Sequence, residues 1–137
     1  MPATALPLTE AHISAAVEVL TRAFAEDPGL LFVLPDPQDR AWLTPRLAEA
    51  ALRYTMRCGA PLVTEGSVRG VALWFPPDAP EPTPLDFAET GIAAVPALIG
   101  EAAWTRFARL IAHIDALHPA HAPEPHWYLA MLGVDPA

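Results

Sequence analysis

The stretch His126-Trp127-Tyr128-Leu129-Ala130-Met131-Leu132-Gly133-Val134-Asp135-Pro136 decides how the rest of the chain is read. Aromatic and aliphatic residues fill it from Trp127 to Leu132, and Gly133 and Pro136 then interrupt it. An apolar run without polar alternation reads as a strand covered on both faces and central to its sheet. A glycine near its end predicts a bulge or a close approach to the backbone. The sequence ends one residue after Pro136, where such a strand calls for a partner or a continuation.

Several further blocks precede this strand. Thr9 is a good N-cap, and Glu10 puts an acid in the first turn, where the helix dipole favours it. Ile13, Val17, Leu20 and Phe24 follow at helical spacing, with Ala16 and Ala23 beside them, predicting an amphipathic helix of about four turns. Asp27-Pro28-Gly29 reads as its stop. Leu30 to Leu34, closed by Pro35-Asp36-Pro37, reads as a loop or turn. A second helical pattern runs over residues 39–57, with Trp42, Leu43, Leu47, Ala50, Ala51 and Tyr54 on its apolar face. Pro45 argues for a first turn before it and the main helix after it. Gly59 supplies the stop.

A hairpin comes next, pairing Leu62-Val63 with residues 68–75 across Glu65-Gly66-Ser67. Its second strand, Gly70-Val71-Ala72-Leu73-Trp74-Phe75, is apolar enough to be central. Pro76, Pro77, Pro80, Pro82 and Pro84 make the following stretch a stiff extended linker. Residues 85–99 are weakly helical and cut by Gly91 and Pro96. Residues 101–117 form a stronger helix with Trp104, Phe107, Leu110, Ile111, Ile114 and Leu117 on one face. Residues 118–125 read as a loop rich in Pro and His.

The fold class is therefore α/β in the layered α+β sense: a mixed sheet with a central hairpin, flanking helices and a helical insertion before the last strand. It forms a single domain over residues 1–137, divided into 1–75, 76–125 and 126–137. At 137 residues the chain is long enough to bury a core, and 53% of it is apolar. No apolar run reaches the roughly 18 residues of a membrane span. Without a recognisable signal segment, the expected location is cytoplasmic.

The net charge of −8 speaks against nucleic-acid binding through a basic face and tolerates cationic partners such as amines. Cys58, the single cysteine, excludes an internal disulfide and any multi-cysteine metal site. His113, His118, His121 and His126 fall close together but match no zinc spacing, so they read as loop and surface histidines with no metal expected, and a small metal-binding protein using them is the weakest alternative. There is no Gly-x-Ser-x-Gly, no Walker loop and no Gly-x-Gly-x-x-Gly. Tyr128 and His126 share one side of the last strand by period-two logic. The Tyr128 hydroxyl is a candidate for orienting a substrate or carrying a proton, against the plainer reading of a core tyrosine with a rim hydroxyl.

In order, four features resemble the N-terminal half of a GNAT-superfamily N-acetyltransferase. They are the helix end Ala23-Phe24-Ala25-Glu26-Asp27-Pro28, the hairpin end Gly70-Val71-Ala72-Leu73-Trp74-Phe75-Pro76-Pro77, a helical insertion, and the strand running from His126 into Leu132-Gly133-Val134-Asp135-Pro136. The resemblance implies transfer of an acetyl group from acetyl-CoA to a primary amine. Leu132, Gly133 and Val134 would hold the pantetheine arm and thioester through backbone groups, polarising the carbonyl. Tyr128 is the catalytic candidate, and Phe24, Asp27 and Trp74 would line the acceptor side.

The family's glycine-rich pyrophosphate loop, which grips the anion at a helix N-terminus, belongs just after Pro136 and is not among the 137 residues. The expectation is therefore an incomplete, truncated domain that binds acetyl-CoA weakly by itself. The competing expectation is a non-catalytic interaction module or pseudoenzyme, completed by strand addition or by a homodimer through the terminal strand.

Overall fold

The computed structural model describes residues 2–136. A short strand β1 (Ala5–Pro7) leads through a turn of 3-10 helix (Glu10–His12) into α1 (Ile13–Ala23), then α2 (Pro28–Val33) and α3 (Pro37–Cys58). The hairpin β2 (Ala60–Thr64) and β3 (Gly70–Phe75) follows. The insertion holds α4 (Pro84–Thr90), α5 (Val95–Ile99) and α6 (Glu101–His121), and β4 (Tyr128–Val134) closes the chain. The four strands form one antiparallel sheet in the order β1-β2-β3-β4.

The core follows the apolar stripes. Ile13, Ala16, Val19 and Leu20 of α1 and Ala48 and Leu52 of α3 pack on Val63 of β2 and Val71 and Leu73 of β3. A second cluster joins Val33 and Leu34 to Leu43 of α3 and Ala103 of α6. The helices α1 and α3 lie against one face of the sheet. The hairpin register, Leu62 opposite Ala72 and Val63 opposite Val71, puts alternate residues inward as period two requires.

Several expectations need correction. Among the described residues the last strand is neither central nor covered on both faces: β3 is interior, β4 lies at the sheet edge, and Leu132 and Val134 are 58% and 62% exposed. Apolar composition alone does not separate a two-face-covered strand from an edge strand whose second face is bare. The strand also starts at Tyr128, leaving His126 and Trp127 ahead of it. Its bulge is not at Gly133. The register passes from Leu73–Met131 to Trp74–Leu129, so Ala130 is the extra residue.

Residues 28–33 are helical rather than a loop. Asp27 ends nothing. It caps α2 by accepting from the Leu30 amide at 2.9 Å, with Pro28 at the first helical position. Pro45 does not divide α3, which runs unbroken from its Asp36 cap. The Arg46 guanidinium donates to the Trp42 carbonyl and lies 4.0 Å over the Trp42 ring, bracing the turn that contains the proline. Likewise α6 continues through Pro119 to His121, so His118 and His121 stand on its last turns and not in a loop.

Candidate functional site at the start of the edge strand

The bulge determines what β4 presents. Beyond it, Leu132 and Val134 lie opposite Ala72 and Gly70 on the bare face, which Trp74 shares. Before it, Tyr128 lies opposite Phe75, whose ring packs 5.7 Å from Tyr54 of α3. Tyr128 therefore faces the helices, where a bulge-free strand would turn it to the bare face with Leu132.

The ladder determines which backbone groups are free. The Asp135 amide donates to the Arg69 carbonyl at 2.7 Å, marking that pair as hydrogen-bonded. In an antiparallel ladder such pairs alternate, so Gly133 with Val71 and Met131 with Leu73 also bond across. Leu132 and Val134 then aim their N–H and C=O away from β3. No strand pairs with that outer edge among the described residues. Gly133 has its own reason to be glycine: a Cβ there would lie 2.8 Å from Leu20 Cδ2 and 3.2 Å from Ala23 Cβ. It lets α1 approach the strand closely.

The candidate residues fall into two groups. Phe24, Gly133 and Tyr128 are on the helical side, with Phe24 packed against the main core cluster. Asp27 is there too, its carboxylate engaged on the α2 cap. Trp74, Leu132 and Val134 are on the other face, where Trp127 meets Trp74 edge-on at 6.5 Å. The sheet edge is the line along which the two groups meet.

Sequence reasoning missed His118 as a partner of this site. It stacks on Tyr128 with ring centroids 4.5 Å apart, and its Nε2 is 2.7 Å from His126 Nε2. The signal was present: Leu110, Ile114 and His118 sit four apart, so the helical stripe continues past Leu117. The start of that stripe reaches the α1–α2 segment, since a Cβ on Gly29 would lie 3.3 Å from Leu110 Cδ2. The helix α6 thus spans from the segment expected to line the acceptor side to the first residue of β4. Arg106 fastens it there by donating through Nε and Nη2 to the Val33 carbonyl at 3.1 and 2.9 Å.

Elsewhere the chemistry is thinner. Depressions of about 350 and 250 Å³ lie between α3 and α4 around Arg53 and Glu89, away from β4. Their arginines are committed: Arg53 to Glu10 and Glu49, Arg57 to Asp86 and Glu89. Burial pushes the Cys58 thiol up, which disfavours the reactive thiolate. No cluster of three potential metal ligands occurs among the described residues. Nor is any described helix long and apolar enough to cross a membrane.

No family model and no curated protein matches this sequence. Among solved structures, the chain is similar to one from Corynebacterium glutamicum ATCC 13032, described as histone acetyltransferase HPA2 and related acetyltransferase. The identity is 28% and the TM-score 0.61. The likeness covers 99% of this chain and 62% of that one, so the chain spans less than two thirds of the neighbour's length. In its helices, hairpin, insertion and four-stranded antiparallel sheet, the chain is similar to a GNAT acetyltransferase fold.

Proposed function

We propose that the chain carries the acceptor side and half of the thioester cleft of an N-acetyltransferase, which moves an acetyl group from acetyl-CoA to a primary amine. The observation that carries this reading is the outer edge of β4, within a fold whose solved neighbour is an acetyltransferase. The amides of Leu132 and Val134 point away from β3 beside a bulge. Such fixed donors suit the amide-bearing arm of a CoA thioester and the oxyanion formed on attack. An arm bonded at Val134 and Leu132 ends near Ala130, about 7 Å along the strand from Tyr128. The acceptor is a cationic small molecule or a peptide amine, in keeping with the net charge of −8 and with the neighbour's name. The reading places the protein in the cytoplasm, where acetyl-CoA is made and used.

The test is amide-resolved NMR of the chain titrated with acetyl-CoA, with N-acetyl product followed by mass spectrometry over a panel of primary amines. Binding is expected to be weak and to perturb the Leu132 and Val134 amides first. Perturbation confined to other elements, or no product above the uncatalysed rate, overturns the reading.

A second reading rests on the same edge. Residues 128–134 contain no charge and no proline, the devices that normally blunt an edge strand. A homodimer joined through β4, or exchange of that strand, would cover it without any catalysis. Light scattering after size exclusion decides: a monomer at all concentrations sinks this second reading.

A further inference from the structure

We infer that His118 and His126 form a tautomer-locked pair that serves as the general base at this site, with His118 Nδ1 as the proton acceptor. The inference rests on the acetyltransferase reading above. It starts from a hydrogen-bond constraint. His126 Nδ1 is 2.7 Å from the Glu124 carbonyl, which only accepts, so His126 Nδ1 carries the proton. In the neutral ring its Nε2 is then a lone pair. His118 Nε2 lies 2.7 Å from that lone pair and must donate to it. The neutral His118 ring is left with a bare Nδ1. No group among the described residues bonds to that nitrogen.

Placement supports the role. The His118 ring stacks on Tyr128 with centroids 4.5 Å apart and planes inclined by 28°, which restricts its rotation. The ionisable groups nearest in sequence are Asp115 and His121 on α6, Glu124 on the loop, and Tyr128 itself. The helix α6 packs by Leu110 against the cluster around Val33, close to Gly29, and reaches Tyr128 at its other end, where the pair stands. Neither histidine is needed to fill the core, since both lie outside its clusters.

The step balances as follows. The acceptor amine, its ammonium proton already lost to water, forms a bond from nitrogen to the acetyl carbonyl carbon and gives one proton to His118 Nδ1. His118 passes its Nε2 proton to His126 Nε2, so the positive charge rests on His126, whose Nδ1–H stays on the Glu124 carbonyl. The carbon–sulfur bond breaks, the leaving CoA thiolate takes the proton from His118 Nδ1, and His126 returns its Nε2 proton to His118 Nε2, restoring both rings. His118 is thus the catalytic residue, and His126 is a positioning residue that stores the charge.

Two measurements on the full chain test this. Long-range proton–nitrogen NMR of the imidazole rings is expected to show His118 protonated at Nε2 and His126 at Nδ1 in the neutral forms. The Nε2–H tautomer in both rings overturns the pair. In acetyl transfer, His118→Ala is expected to lower kcat by about 100-fold or more with KM for acetyl-CoA little changed. Added imidazole should restore part of the loss, which a structural defect would not allow. His126→Gln is expected to lower kcat less and to shift the pH–rate profile. An active wild type with an indifferent His118→Ala variant overturns the base alone. A wild type that transfers nothing overturns the transferase reading and the base with it.

Discussion

Arg22 and Asp135 form a two-pronged ion pair, Nε to Oδ1 at 3.2 Å and Nη2 to Oδ2 at 2.8 Å, that ties the last turn of α1 to the residue following β4. The same Asp135 donates its amide to Arg69, so one residue closes the β3–β4 ladder and fastens it to the helix layer. The hydrogen bond to Asp135 holds the Arg22 guanidinium still more firmly in its charged form. Such forks have better geometry than single-contact pairs, yet they remain screened at the surface. Asp135→Asn is expected to lower the melting temperature at low ionic strength. The gap to wild type should narrow as salt approaches 1 M. Thermal melts at two salt concentrations check this, and a gap unaffected by salt argues against an electrostatic role.

A second relationship is steric. Gly133 lies under Leu20 and Ala23, and Leu20 is 1% exposed, so its side chain has little room to give. Gly133→Ala is expected to destabilise by about 1–3 kcal/mol through overpacking. Combined with Leu20→Ala, which opens space at the same point, the two losses should sum to less than their separate values. Denaturant unfolding of the two single variants and the double variant measures the coupling. Strict additivity would mean that α1 does not press on Gly133.

The edge of β4 can be probed without breaking the sheet. Leu132 aims its N–H outward, so Leu132→Pro removes that donor while leaving the bonds of Met131 and Gly133 to β3 intact. The Leu132 side chain is largely exposed, so little packing goes with it. The melting temperature is expected to stay close to wild type, while the response of the Val134 amide to acetyl-CoA disappears. Val134→Ala, which keeps its N–H, serves as the control and is expected to respond normally. A large loss of stability in Leu132→Pro would show that the Leu132 amide bonds to β3 after all.

The sequence discloses elements whose signals are local. The Ile13–Leu20 stripe, the hairpin with its turn glycine and the broken helices of residues 85–99 follow from periodicity and punctuation. Position within the sheet is not local. The apolar run of β4 would read the same in a central strand as at an edge with one bare face. Ambiguous punctuation misled in three places. Asp27-Pro28 both stops a helix and caps one, and here the cap wins because the Asp27 carboxylate reaches the Leu30 amide. Pro45 and Pro119 each sit within an unbroken helix. The site suffers the same limits. Tyr128 was visible as a residue type, but its facing depends on a one-residue bulge at Ala130, and the His118–His126 pair exists only once α6 is allowed to pass Pro119.

Asp86 gives the chain an acid-side dependence that is set by the insertion. The Thr83 amide, then the Arg57 guanidinium and the Thr83 hydroxyl, hold its carboxyl down from an ordinary value of 3.8 to about 2. Thr83 caps α4 in return, accepting from the Asp86 amide. Because the folded value is depressed, the unfolded chain binds the proton more readily. The stabilisation is therefore complete above pH 3.8 and is lost as pH falls through about 2. Asp86→Asn removes the charge but keeps a side-chain oxygen for the cap. The variant is expected to melt below wild type near pH 7 and to show a shallower fall in melting temperature between pH 4 and pH 2, the two curves converging at the acid end. Circular-dichroism melts across that range supply the comparison. Parallel curves would mean that Asp86 titrates alike in the folded and unfolded chain, and that the Arg57 contact between α3 and α4 does not hold its charge.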